Sequence, residues 1–71
     1  MERIPVSSTN VASIGYEVET QTLEVEFRSG SVYQYFNVPE FHYEGLLNAS
    51  SKGRYLNEHI KKGGYPCTKV G

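Results

Sequence analysis

Between Ile14 and Val38 the chain alternates apolar and polar residues with the two-residue period of half-buried strands. Ile14, Tyr16 and Val18 alternate with Gly15 and Glu17, and Leu23, Val25 and Phe27 alternate with Glu24 and Glu26. A third strand-like run covers Val32 to Val38. The connections Glu19 to Thr22 and Arg28 to Ser31 are short enough for hairpins, so these three strands are expected to form an antiparallel meander. The chain contains no internal repeat, linker or low-complexity segment.

After Pro39 the period becomes helical. Val38, Phe41, His42, Gly45, Leu46 and Ala49 recur at helical spacing, with Glu40, Glu44 and Asn48 opposite, which predicts an amphipathic helix over about 39–49. Pro39 suits its first turn, where a missing N–H is harmless, and Glu40 complements the positive end of the helix dipole. Ser50 and Ser51 offer an N-cap for a second helix over about 52–62 that buries Tyr55, Leu56 and Ile60 and stops at Gly63 and Gly64. The expected fold class is α+β: a three-stranded antiparallel β-meander followed by two helices packed on one face of the sheet.

One hairpin decides which way Tyr33 and Tyr35 face. A two-residue loop, Ser29 and Gly30, pairs Phe27 with Val32 and turns both tyrosines outward beside Glu24 and Glu26. A three-residue loop, Arg28 to Gly30, shifts the pairing by one and places them with Leu23, Val25 and Phe27 on the apolar face. Serine fits poorly in a type I′ turn, which needs positive φ at both central residues, whereas a type I turn followed by left-handed Gly30 fits easily. The three-residue loop is therefore favoured, with the tyrosines partly in the core and their hydroxyls at its rim.

With 71 residues the chain makes a single domain, residues 1–71, and a domain of this size buries only about 60% of its unfolded surface. That leaves little room for an elaborate active site. The net charge is −1, yet it is unevenly spread: Glu2, Glu17, Glu19, Glu24 and Glu26 outnumber Arg3 and Arg28 before residue 40, while Lys52, Arg54, Lys61, Lys62 and Lys69 outnumber Glu40, Glu44 and Glu58 after it. A basic second half can attract an anion even when the total charge is near zero. The single cysteine, Cys67, excludes an internal disulfide and a multi-cysteine metal site. No apolar run is long enough to span a membrane and no signal-peptide layout opens the chain, so a cytoplasmic protein is expected.

The ordered set Val6-Ser7-Ser8, Ile14-Gly15-Tyr16, Leu23-Glu24-Val25-Glu26-Phe27, Gly30, Tyr33-Gln34-Tyr35, Val38-Pro39, Ser51-Lys52-Gly53-Arg54-Tyr55-Leu56-Asn57 and Ile60 resembles the KTSC domain family. That family is named for a C-terminal domain of some lysyl-tRNA synthetases and also occurs as stand-alone bacterial and phage proteins. The resemblance covers nearly the whole chain and departs from it near the end, where Gly63 and Gly64 separate the basic pair from Tyr65. It implies a small domain without established activity, for which RNA binding follows only from the attachment to a tRNA-charging enzyme.

The residues offer parts for such binding. Tyr33 and Tyr35 could stack on bases, and Lys52, Arg54, Lys61 and Lys62 could meet phosphates, helped by Ser51 and Gly53 at the start of the second helix. A nucleotide or cyclic dinucleotide could use the same parts if a homodimer closed the pocket. Glu24 and Glu26 beside the tyrosines argue against strong binding of an anion. The alternative is a protein-interaction or homodimerisation module built on an exposed Phe36 and Val32. No catalytic role, cofactor or metal is expected, since there is no aspartate, and His42 and His59 stand in no triad or zinc spacing and are expected as packed or rim residues.

Overall fold

In the computed structural model, which describes residues 1–71, the alternating segments form the middle of a five-stranded, wholly antiparallel sheet. Strands β1 (Ile4–Pro5), β2 (Val11–Glu17), β3 (Thr22–Phe27), β4 (Val32–Tyr35) and β5 (Cys67–Lys69) lie side by side in chain order. Helix α1 (Glu40–Asn48) and helix α2 (Lys52–Tyr55), which continues as a π-helical stretch over Leu56–Lys61, intervene before β5. The α+β class and the central meander are as expected, with an added strand at each edge. Neither added strand carries a period: Ile4–Pro5 and Cys67–Lys69 are short and exposed, and pairing alone makes them strands.

Both hairpin loops are type I turns closed by a left-handed residue. In the β3–β4 loop the Gly30 N–H donates to the Phe27 carbonyl at 2.9 Å, the Phe27 N–H donates to Ser31 at 2.9 Å, and Gly30 has φ of +99°. This is the favoured three-residue loop, and it pairs Val25 with Tyr33 and Leu23 with Tyr35. The β2–β3 loop runs one residue earlier than expected, from Val18 to Gln21, with Gln21 at φ 54°. Val18 therefore leaves the strand and is exposed.

A bulge in β2 repairs an apparent mismatch. Val11 and Ile14 are three apart, which would set them on opposite faces of a regular strand, yet both are fully buried. Ala12 is the extra residue between the Val11–Phe27 and Ser13–Glu26 pairs, and it returns Val11 to the inner face. The core then joins Val11, Ile14, Leu23, Val25 and Tyr35 from the sheet to Val38, Leu46, Leu56 and Ile60 from the helical side.

Helix α1 is rotated from its expected setting. Phe41, placed on the apolar stripe by spacing, is exposed, and the helix buries Leu46 while Tyr43 and Leu47 pack against the core. Tyr43 stacks on Tyr16 of β2 with ring centroids 5.4 Å apart, and the Tyr16 hydroxyl donates to the Val38 carbonyl. The third expected strand also stops early, at Tyr35 rather than Val38. Asn37 at φ 62° turns the chain, and the Val38 N–H then donates to the Gln21 carbonyl at 2.9 Å.

Helix α2 begins as expected at Ser51, whose Oγ accepts from the Arg54 N–H at 3.3 Å. Its last residues widen into the π register, with the Lys62 N–H reaching back to the Asn57 carbonyl at 3.2 Å. The Gly63-Gly64 step, with Gly64 at φ 77°, returns the chain so that β5 can pair with β4.

Candidate binding cleft

The register of β3 and β4 separates aromatic from acidic residues. Phe27, Tyr33 and Tyr35 share the helix-bearing face, whereas Glu24, Glu26 and Gln34 alternate onto the outer face. There Arg3 pairs with Glu24 and approaches Glu26 at 3.9 Å, and the Gln34 amide donates to Glu24 at 2.8 Å. As the favoured three-residue loop implies, the two glutamates of the neighbouring strand lie on the side of the sheet opposite the tyrosines. Burial by itself would raise the Glu24 carboxyl, but hydrogen bonds from Gln34 and Arg3 and the Arg3 charge hold it below the usual carboxylate range.

On the inner face, where the helices do not cover the sheet completely, an open cleft of about 930 Å³ remains. Its apolar wall is Phe27, Tyr33, Tyr35 and Tyr65, with Cys67 at the edge; its polar wall is Thr9, Asn10, Ser29 and Ser31; and its cations are Arg28 and Lys61. No carboxylate lines it. The Lys61 ammonium lies over the Phe27 ring, 5.4 Å from its centroid, and Phe27 meets Tyr33 edge-on at 5.8 Å. Lys69 stands opposite Tyr33 in the β4–β5 register, which puts a further cation on the same face.

The two tyrosines differ in what they offer. Tyr35 is only 4% exposed, so it belongs to the core and shows the cleft little more than an edge, while Tyr33 is half-buried. Burial, followed by the nearby Cys67 and Tyr33, raises the Tyr35 phenol above its ordinary value. The exposed aromatic surface of the cleft is therefore that of Tyr33, Tyr65 and Phe27 rather than that of the Tyr33–Tyr35 pair.

Of the other expected ligand residues, only Lys61 reaches this cleft. Ser51 and Lys52 line a second recess of about 510 Å³ with Ser7, Ser8, Thr9, Arg28 and Ser50. Gly53 lies against the Asn10 side chain, Arg54 is spent on an exposed pair with Glu58 at 3.2 Å, and Lys62 is exposed and lines neither hollow. Arg28, Asn10, Phe27 and Tyr65 were missed. Arg28 was legible from the bulged loop, which had to carry it to the same end of the sheet as Tyr33; Tyr65 was not, because it is brought in by the unpredicted β5.

His42 and His59 form a packed aromatic group that adjoins the cleft through Tyr65, whose ring meets that of His42 edge-on at 6.0 Å between centroids. His42 Nδ1 is 3.0 Å from the Tyr55 hydroxyl, His59 packs on the Tyr55 ring at 4.4 Å between centroids, and α1 approaches so closely that a Cβ on Gly45 would overlap Tyr55. His42 is half-buried, and burial, then the proximity of His59, lowers its pKa from 6.5. A depressed histidine favours the folded state only while neutral. Stability linked to His42 is therefore complete above pH 6.5 and declines as the pH falls from there through the lower folded value. In an NMR titration the His42 ring should show its midpoint below 6.5, and Tyr55→Phe should leave the burial contribution and keep that midpoint low. A midpoint above 6.5 would refute the packing described here.

A family model for the KTSC domain matches residues 7–65. The chain belongs to the KTSC domain family. The crystal structure of a KTSC domain protein from Yersinia pestis superposes with a TM-score of 0.92 at 43% identity, covering 99% of this chain and 97% of that one. A protein of Stutzerimonas stutzeri is 43% identical over 70 residues, 99% of each chain. A lysine–tRNA ligase of Nostoc punctiforme is 53% identical over 51 residues, which are 72% of this chain but 9% of the ligase. The KTSC model spans both the Ser7–Thr9 loop and Tyr65, so the cleft and the second recess lie almost wholly within the family's own limits. No helix of the domain is long and apolar enough to cross a membrane.

Proposed function

We propose that this KTSC domain is a noncovalent binding module that takes a base of single-stranded RNA or of a nucleotide into the aromatic cleft. The observation that carries the reading is the composition of that cleft: exposed parts of Phe27, Tyr33 and Tyr65 beside Arg28 and Lys61, with no carboxylate in the lining and Glu24 and Glu26 turned to the other face of the sheet. Aromatic faces bind any base by stacking, and cations next to them meet the backbone charge. The likeness to part of a lysine–tRNA ligase supports RNA as the polymer, since a related segment is carried by an enzyme named for tRNA. The interaction-module alternative has less to stand on. Phe36 and Val32 are half-buried, and the Val32 backbone is hydrogen-bonded to Val70 and Gly71.

Stacking of one base contributes about 1 to 3 kcal/mol, so Tyr65→Ala should weaken binding of a labelled single-stranded RNA by about fivefold or more. Fluorescence anisotropy would measure this, with a panel of nucleotides as competitors. Tyr65 packs against the nine-residue buried core from outside it, whereas Tyr35 is a member, so Tyr65→Ala is the milder truncation, and its circular dichroism spectrum should match that of the native chain. Failure of the native chain to bind either RNA or any nucleotide would remove the reading.

A further inference from the structure

The cleft and the second recess are not separate hollows: Thr9 and Arg28 line both. The recess contains no hydrophobic residue and no carboxylate. Its cations are only partly engaged, Arg28 donating through Nε to the Ser8 carbonyl at 2.6 Å and Lys52 donating to the Ala49 carbonyl at 2.7 Å. The terminal guanidinium nitrogens of Arg28 and the remaining N–H groups of Lys52 are left to donate. Ser8 Oγ accepts from the backbone of Asn10 and Val11, and Ser51 Oγ accepts from Arg54, so both hydroxyls keep their own protons for an outside acceptor. A lining of hydroxyl donors and two cations is complementary to a group that only accepts, and a phosphate is such a group.

Resting on the reading of the aromatic cleft as a base site, we propose that the recess is the phosphate subsite of the same ligand. A nucleotide unit then lies across Arg28, its base against Tyr33 and Tyr65 and its phosphate between the Ser7–Thr9 loop and the Ser51-Lys52 turn. The ligand class is therefore phosphorylated, and a nucleoside or an uncharged backbone fills only half of the site.

The isotope-labelled chain, titrated with the trinucleotide r(ApApA) and with its uncharged methylphosphonate analogue, tests this by NMR. The charged trinucleotide should shift amides of both groups, Tyr33, Lys61 and Tyr65 together with Ser8, Thr9 and Lys52. The uncharged one should shift the first group alone and bind about tenfold more weakly, the usual effect of losing a charge-assisted hydrogen bond. Lys52→Gln, which keeps a donor for the Ala49 carbonyl, should weaken the charged ligand by about tenfold and leave the uncharged one unchanged. Equal affinities for the two trinucleotides, or cleft shifts with a silent recess, would overturn the phosphate subsite and leave the base site standing. No shift in the cleft with either ligand would overturn both.

Discussion

Leu46→Ala should leave the domain largely unfolded at 25 °C, with a broad or missing transition in urea and loss of the native circular dichroism spectrum. Leu46 is fully buried and is the residue by which α1 enters the core, against a sheet surface that cannot collapse around a void. Truncating a buried leucine to alanine costs about 2–5 kcal/mol, and a single core in a chain of this length supplies only about 3–5 kcal/mol. The loss is thus comparable with the whole stability. Phe41→Ala provides the contrast, because Phe41 is 62% exposed and its truncation should change stability by about 0.5 kcal/mol or less. Equal effects of the two substitutions would mean that α1 is turned as the hydrophobic spacing alone implied.

Arg3→Met should destabilise the domain by about 2 kcal/mol at neutral pH and by much less in acid. Arg3 is the cation of the outer-face network: it pairs with Glu24, its Nε donates to Ser13 Oγ at 3.0 Å, and Ser13 in turn donates to Glu26 at 2.7 Å. Glu24 is 6% exposed, so removing its partner leaves a carboxylate with little access to water, and a hydrogen bond to a charged group contributes about 1.5–3 kcal/mol. The Glu24 pKa in the folded state is depressed below 4.5, which means its stabilisation is present above that pH and is lost as the pH falls through the folded value. In the variant Glu24 should titrate higher, and the stability gap between the two proteins should close below pH 4.5. Urea melts at neutral and acid pH would show it. A gap that stays constant with pH would assign the effect of Arg3 to packing of its side chain.

The KTSC fold was legible where the period of the side chains is strong and local. Leu23-Glu24-Val25-Glu26-Phe27 is a strand by alternation alone, and the Ser29-Gly30 pair already favoured the turn that the structure contains. Ser51 announced the second helix and caps it. Legibility failed where an element depends on a partner. Ile4–Pro5 and Cys67–Lys69 have no pattern of their own and become strands only because β2 and β4 present unpaired edges to them. The helical stripe containing Phe41 misled because Tyr43 and Leu47 also offer apolar surface to the core, and stacking of Tyr43 on Tyr16 turns that side of α1 inward.

The site divides along the same line. The residues alone determined that Tyr33 and Tyr35 share a face, that Gly30 controls which face it is, and that the chemistry on offer is aromatic and cationic with no aspartate for acid–base work. Only the tertiary structure decided that Tyr35 is core and Tyr33 is rim, that Arg3 is the outer-face partner of Glu24, and that Lys61, Tyr65 and Arg28 meet in one cleft. The physical reason is distance along the chain. Alternation and turn chemistry act between neighbours and can be read from them, whereas the cleft is made by residues from the first loop to the last strand, which come together only when the sheet closes its edges and the helices bury Leu46, Leu56 and Ile60.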